Sequence, residues 1–82
     1  MIPITAAEAM AMMSECFMEP VERLTPELCR ESIPGWDSMG ALMLIAEIDE
    51  RFQIELSADE SRTMKHVSDV LAFLAKHGAL AG

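Results

Sequence analysis

The chain has little cysteine, few bases and no long apolar run, and each shortage removes a class of protein. Its two cysteines, Cys16 and Cys29, form no C-x-x-C pair. Small secreted scaffolds are disulfide-dense, so a cytoplasmic protein in a reducing compartment is expected. Together with His66 and His77 the cysteines show no metal-ligand spacing, and no metal is expected. The longest apolar run, Met39 to Ala46, is eight residues, against roughly 20 for a membrane-spanning helix. The first thirteen residues hold no Lys or Arg, so no secretory leader is expected. Four Gly and four Pro exclude collagen-like or linker character.

Bases are outnumbered. Fourteen acids against six bases give a net charge of −8. By segment the balance is −4 over residues 1–36, −6 over 37–60 and +2 over 61–82. A surface of this sign repels phosphate backbones and anionic membranes, so neither nucleic acid nor membrane is an expected partner. A basic protein surface would be steered towards the acidic middle third. What the chain does have is core material. It is 51% apolar over 82 residues, enough for one small domain spanning 1–82.

The apolar spacing is helical throughout, with no strand-like alternation. Thr5-Ala6-Ala7-Glu8 is a capping-box pattern opening a helix over 5–18, with Ala6, Met10, Met13 and Phe17 as its stripe. Of the methionines Met10, Met12, Met13 and Met18, core filler is the simpler reading and an adaptable binding surface the other. Pro20 ends this helix. Residues 19–37 form a long connection. Within it, Thr25-Pro26 suits a helical start and Pro34-Gly35 a turn. Asp37 caps a second helix over 38–52, with Ala41, Leu44, Ile45, Ile48 and Phe52 facing the core. Ser57-Ala58-Asp59-Glu60 opens a short helix over 58–63. Val67, Val70, Leu71 and Leu74 mark a fourth over 67–77, with a weak N-cap and Gly78 as its stop. Residues 79–82 read as a frayed tail. The expected fold is all-α: a small four-helix bundle, three longer helices and one short, with a long first loop.

No residue set has the form of a catalytic relay. Asp37 and Ser38 are neighbours, and neither histidine is near them in sequence. No phosphate-cradling loop, dinucleotide fingerprint or calcium loop is present. The chain therefore reads as a non-enzyme. The feature that stands out is Gly35-Trp36-Asp37-Ser38-Met39 at the start of the second helix. There the serine hydroxyl meets free backbone N–H groups and the positive end of the helix dipole, a favourable place for an anion.

The stretch 35–56, GWDSMGALMLIAEIDERFQIEL, resembles the acyl carrier protein family and its relatives in polyketide and nonribosomal peptide synthesis. The shared feature is Asp-Ser-Leu or Asp-Ser-Met opening the second helix, followed here by Phe52, Ile54-Glu55-Leu56 and the short capped helix. The Trp before Asp-Ser is similar to that of specialised free-standing carriers. The resemblance implies that Ser38 accepts 4′-phosphopantetheine from coenzyme A and that Asp37 both caps the helix and helps a phosphopantetheinyl transferase orient. It implies a monomer that holds acyl or aminoacyl thioesters for fatty-acid-like, polyketide or other specialised biosynthesis. Acyl-loading and acyl-processing enzymes with basic docking surfaces would be its partners. The expected partner-binding residues are Trp36, Met39, Leu42, Met43 and Ala46, with Glu47, Asp49 and Glu50 as charges. Trp36 is also expected to pack over the loop.

The chain departs from the fatty-acid carrier pattern at Gly40 and Met43, where acids are usual, and in the loop before the serine. Gly40 reads as room for a partner or for the arm, at a helix cost of about 1 kcal/mol relative to Ala. On that reading Gly40→Asp alters partner turnover more than stability. The alternative to a carrier is an unmodified acidic helical adaptor for a basic protein. A small serine hydrolase is a distant third.

Overall fold

A computed structural model describes residues 2–81. Four α-helices are present among them: α1 Ala6–Phe17, α2 Ser38–Phe52, α3 Ala58–Thr63 and α4 Val67–Lys76. Two single 3-10 turns, Val21–Arg23 and Arg30–Ser32, interrupt the connection between α1 and α2. The all-α bundle with three longer helices and one short is thus the observed fold. No strand occurs among the described residues, only two isolated bridge pairs, Ile4 with Leu80 and Cys29 with His66. No described helix is long and apolar enough to cross a membrane.

Local chemistry sets the N-terminal boundaries of α1, α2 and α3. The capping box of α1 forms as the sequence implies: Glu8 N–H donates to Thr5 Oγ1 at 3.1 Å and Thr5 N–H donates to Glu8 Oε1 at 2.9 Å. Those bonds, the backbone one first, hold the Glu8 carboxyl below its ordinary value. The helix stops at Met18, before Pro20, in the left-handed conformation with φ 53°. Asp37 caps α2 through Gly40 N–H at 2.9 Å, and Ser57 caps α3 through Glu60 N–H at 3.1 Å. Such caps are each worth about 1 kcal/mol.

The core face of α1 differs from the expected stripe. Ala9, Met12, Met13, Cys16 and Phe17 are buried, whereas Ala6 is exposed and Met10 half-buried. The helix is apolar around much of its circumference, so spacing alone leaves its rotation open. Packing against α2 selects the Ala9-centred face. On α2, Leu44, Ile48 and Phe52 are buried as expected, with Ala41 and Ile45 half-buried against them.

The long connection is structural. It buries Leu24, Ile33 and Trp36. Thr25-Pro26 does not start a helix; Leu28 N–H donates to the Thr25 carbonyl at 3.1 Å, closing a turn. From there the loop caps α4. Val67 N–H donates to the Leu28 carbonyl at 3.1 Å and Ser68 N–H to the Pro26 carbonyl at 2.9 Å. Asp69 adds its carboxylate, accepting from Lys65 N–H at 2.7 Å and His66 N–H at 3.0 Å. The Lys65 bond, with the His66 contacts, holds the Asp69 carboxyl below its ordinary value. The weak cap seen in the sequence is therefore replaced by loop carbonyls and by an acid inside the first turn.

The frayed tail over 79–82 is a second correction. Gly78 takes the left-handed conformation (φ 74°) and Ala79 N–H returns to the Leu74 carbonyl at 2.8 Å. Ala79 is fully buried, and Ile4 pairs with the tail in both directions: Ile4 N–H to Ala79 O at 2.9 Å, Ala81 N–H to Ile4 O at 2.7 Å. Gly82 lies outside the described residues.

The entrance to α2 is held by two backbone contacts that tolerate no side chain. A Cβ added at Gly35 would lie 1.7 Å from the Phe17 carbonyl oxygen, and one at Gly40 would lie 1.9 Å from the Gly35 carbonyl oxygen. Gly40 is buried. It is therefore not room for a partner or for the arm; the space beside it is filled by the protein's own backbone. Gly40→Ala gains about 1 kcal/mol of helix propensity and loses more to the backbone clash. We expect net destabilisation of at least about 2 kcal/mol by urea unfolding. Removal of the α4 cap in Asp69→Ala should lower the thermal midpoint by roughly 4–8 °C at neutral pH. Because the folded carboxyl sits below its ordinary value of 3.8, its contribution is complete above that pH. It disappears as pH falls through the folded value, so the two proteins should converge in acid.

Candidate functional site

Ser38 is the first residue of α2 and is exposed. Three constraints aim it outward. Asp37, in extended conformation, turns its carboxylate back to the Gly40 N–H. Gly35 and Gly40 seat the turn against the end of α1. Trp36 is driven inward: it is 3% exposed and stacks on Phe17 with ring centroids 4.7 Å apart and an interplanar angle of 14°. An aromatic pair of this kind adds about 0.5–1.5 kcal/mol beyond its burial. With Trp36 inside and Asp37 turned to the cap, Ser38 is left at the surface.

Arg30 closes the back of this turn. Its Nε donates to the Trp36 carbonyl at 3.3 Å, and its Nη1 donates to the carbonyls of Ser61 at 3.2 Å and Met64 at 3.5 Å. Its guanidinium carbon also lies 5.2 Å from the Trp36 ring centroid. One side chain thus ties the entrance of α2 to the end of α3. This role has no local signature, because nothing in the neighbouring sequence distinguishes Arg30 from the other arginines.

One hollow begins at Ser38 and a second adjoins it. The first, about 240 Å³, is bounded by Ser38, Arg30, Arg62, Ala41, Leu42 and Ile45. The second, about 660 Å³, shares Leu42, Ile45 and Ala58 with it and extends to Leu56 and Asp49. Together they form a groove between α2 and the α3 segment with an apolar floor.

Of the expected partner-binding residues, Met39, Leu42 and Met43 stand out from α2 at 70, 59 and 54% exposure, and Ala46 is exposed beside them. Asp49 and Glu50 are exposed and take part in no ion pair among the described residues. Glu47 differs, because Arg51 donates to it at 2.6 Å and partly neutralises it. The expectation that Trp36 contacts a partner is corrected, since its ring is sealed between Phe17 and Arg30. Core filler, the simpler reading of Met18, does not hold, because the residue is 90% exposed in its left-handed cap. It shares a hollow of about 420 Å³ with Met39 and Met43, so the methionine surface spans both helices. Met12 and Met13 are core filler.

Among the described residues the histidines flank α4, whereas Asp37 caps α2. His66 sits at the N-cap of α4 and His77 packs on Phe73, ring centroids 4.5 Å apart. Asp37 Oδ1 is engaged by the Gly40 N–H. Cys16 is buried in α1, whereas Cys29 is exposed in the loop. No group of three or more His, Cys, Asp or Glu among the described residues is placed to hold a metal ion. No protein-family model matches the chain, and no curated protein matches it.

Burial, reinforced by Glu47 and Glu15, pushes the Cys16 thiol up to about 11. In native protein at pH 8 an alkylating reagent should modify Cys29 alone, by intact mass. A second equivalent should add only on unfolding. Double modification under native conditions would contradict the burial of α1.

Proposed function

We propose that this protein is a carrier of the acyl carrier type, with Ser38 as the attachment point for 4′-phosphopantetheine. The observation that carries the reading is an exposed serine at the first position of α2, held there by an internal Trp, a capping Asp and two glycines without room for a side chain. The residues present fit the group. Ser38 is open to a visiting enzyme, the hollow beside it has two guanidiniums at its edge for a phosphodiester, and the groove beyond has an apolar floor.

The bound arm would supply a thiol that holds acyl or aminoacyl cargo as a thioester. Every other role belongs to the chain. Ser38 provides the oxygen that bonds to the pantetheine-side phosphorus of coenzyme A as the phosphorus–oxygen bond to the nucleotide portion breaks. The hydroxyl proton leaves to a base on the transferase; among the described residues Asp37 is turned to the Gly40 N–H and His66 sits at the N-cap of α4. Asp37 fixes the backbone at the start of α2 through the cap and gives the transferase a charge to orient on. The domain performs no bond chemistry on its cargo; it raises the cargo's local concentration at successive active sites.

Met39, Leu42, Met43 and Ala46 form the apolar part of the docking face on α2, with Asp49 and Glu50 as its free charges. Loading and processing enzymes with basic surfaces are the partners, and exposed rim charges mainly raise association rate, which suits brief sequential visits. In this reading the protein acts as a cytoplasmic monomer in fatty-acid-like, polyketide or other specialised biosynthesis.

Co-expression with a phosphopantetheinyl transferase of broad specificity, followed by intact mass, tests the proposal. We expect one added arm in the wild type and none in Ser38→Ala. An unchanged mass alongside a control carrier that is loaded would instead favour the unmodified adaptor, which has the same acidic, apolar face for a basic partner. Ester hydrolysis lost in Ser38→Ala would favour the hydrolase.

A further inference from the structure

The arginines of this acidic chain are not equivalent. Arg23 lies 2.7 Å from Glu19, Arg51 lies 2.6 Å from Glu47, and Arg62 is paired with Asp59. Arg30 has no carboxylate partner among the described residues. It is half-buried, and its three hydrogen bonds all go to neutral carbonyls, through Nε and Nη1. Among the described residues Nη2 has no acceptor. It is not sealed either, because among the described residues the one buried side-chain polar atom without a partner is Trp36 Nε1. Arg30 borders the hollow of about 240 Å³ that also contains Ser38 and Arg62.

A partly desolvated cation without a counter-ion is unfavourable. Here it persists in a chain with fourteen acids, in a hollow whose other polar groups are a second guanidinium and two serines. None of these is an anion. The hollow is therefore complementary to one supplied from outside. Guanidinium binds phosphate oxygens through strong, directional, charge-assisted hydrogen bonds. Arg62 is available at the rim, because its pairing with Asp59 is exposed on both sides and weakly held.

We propose that Arg30, joined by Arg62, binds the phosphodiester on Ser38 and so anchors the root of the arm at the mouth of the groove. The inference rests on the carrier reading and adds to it a binding site for the anion. Arg30 acts as a positioning residue. Its carbonyl bonds and the Trp36 ring fix the guanidinium, and Nη2 is the donor left for the ligand.

The test compares apo and holo protein, with arm attachment confirmed by mass. Arginine side-chain NMR at low salt should show the Arg30 Nε–H and Nη signals shifting on attachment, more than those of Arg23 and Arg51, which carboxylates already hold. The holo form should melt roughly 4–8 °C above the apo form. That gap should shrink in 0.5 M salt, close in Arg30→Gln and narrow in Arg62→Gln. Each gap is measured within one variant, so a general loss of stability in Arg30→Gln does not imitate the effect. Arm-bearing wild-type protein with unmoved Arg30 signals and an apo-like midpoint would overturn the inference and leave the carrier reading standing. Protein that accepts no arm removes both.

Discussion

Backbone meets backbone where the connection enters α2, and that contact governs the rest. The Phe17 carbonyl occupies the place of a side chain at Gly35, and the Gly35 carbonyl occupies the place of one at Gly40. This brings the last turn of α1 against the first turn of α2. At that separation Trp36 reaches the face of Phe17, Asp37 reaches the Gly40 N–H, and Ser38 remains as the outward residue. Close approach of the two helices, rather than any feature of Ser38 itself, makes the serine accessible.

The two faces of α2 then do different work. Leu44, Ile48 and Phe52 bind the helix into the core, while Met39, Leu42 and Met43 are left in solvent with Met18, the C-cap of α1, near them. Four exposed thioether and leucine side chains around one serine are costly for an isolated small domain and adaptable for a protein that meets several partners. The acids are divided as well. Glu47 and Glu19 are held by arginines within the fold, whereas Asp49 and Glu50 remain uncommitted. Charge of one sign thus concentrates near the apolar face.

Features encoded within a few residues were legible in the sequence. Thr5 with Glu8, Asp37, Ser57 and Gly78 mark their helix ends because a cap is a contact between near neighbours. The starts of α2 at 38 and of α3 at 58 follow from them. What could not be read depends on distant partners. The α1 face is chosen by packing, since Met10, Met12 and Met13 are equally apolar. Gly40 looks like a flaw in a helix until the Gly35 carbonyl is seen beside it. The α4 N-terminus looks uncapped because its acceptors, Pro26 and Leu28, lie in another part of the chain. Ala79 looks like tail until Ile4 pairs with it. Asp37-Ser38 was visible as the candidate site, whereas Arg30 was not, because its carbonyl partners Ser61 and Met64 are about thirty residues away.

The central claim is that one particular hydroxyl carries a prosthetic arm. The most direct measurement is a fragment-ion map of the folded protein after incubation with coenzyme A and a transferase of broad specificity. The account predicts the added phosphopantetheine on Ser38 and on no other serine. An arm mapped to Ser14, Ser32, Ser57, Ser61 or Ser68, or no arm at all while a control carrier is loaded, would contradict it.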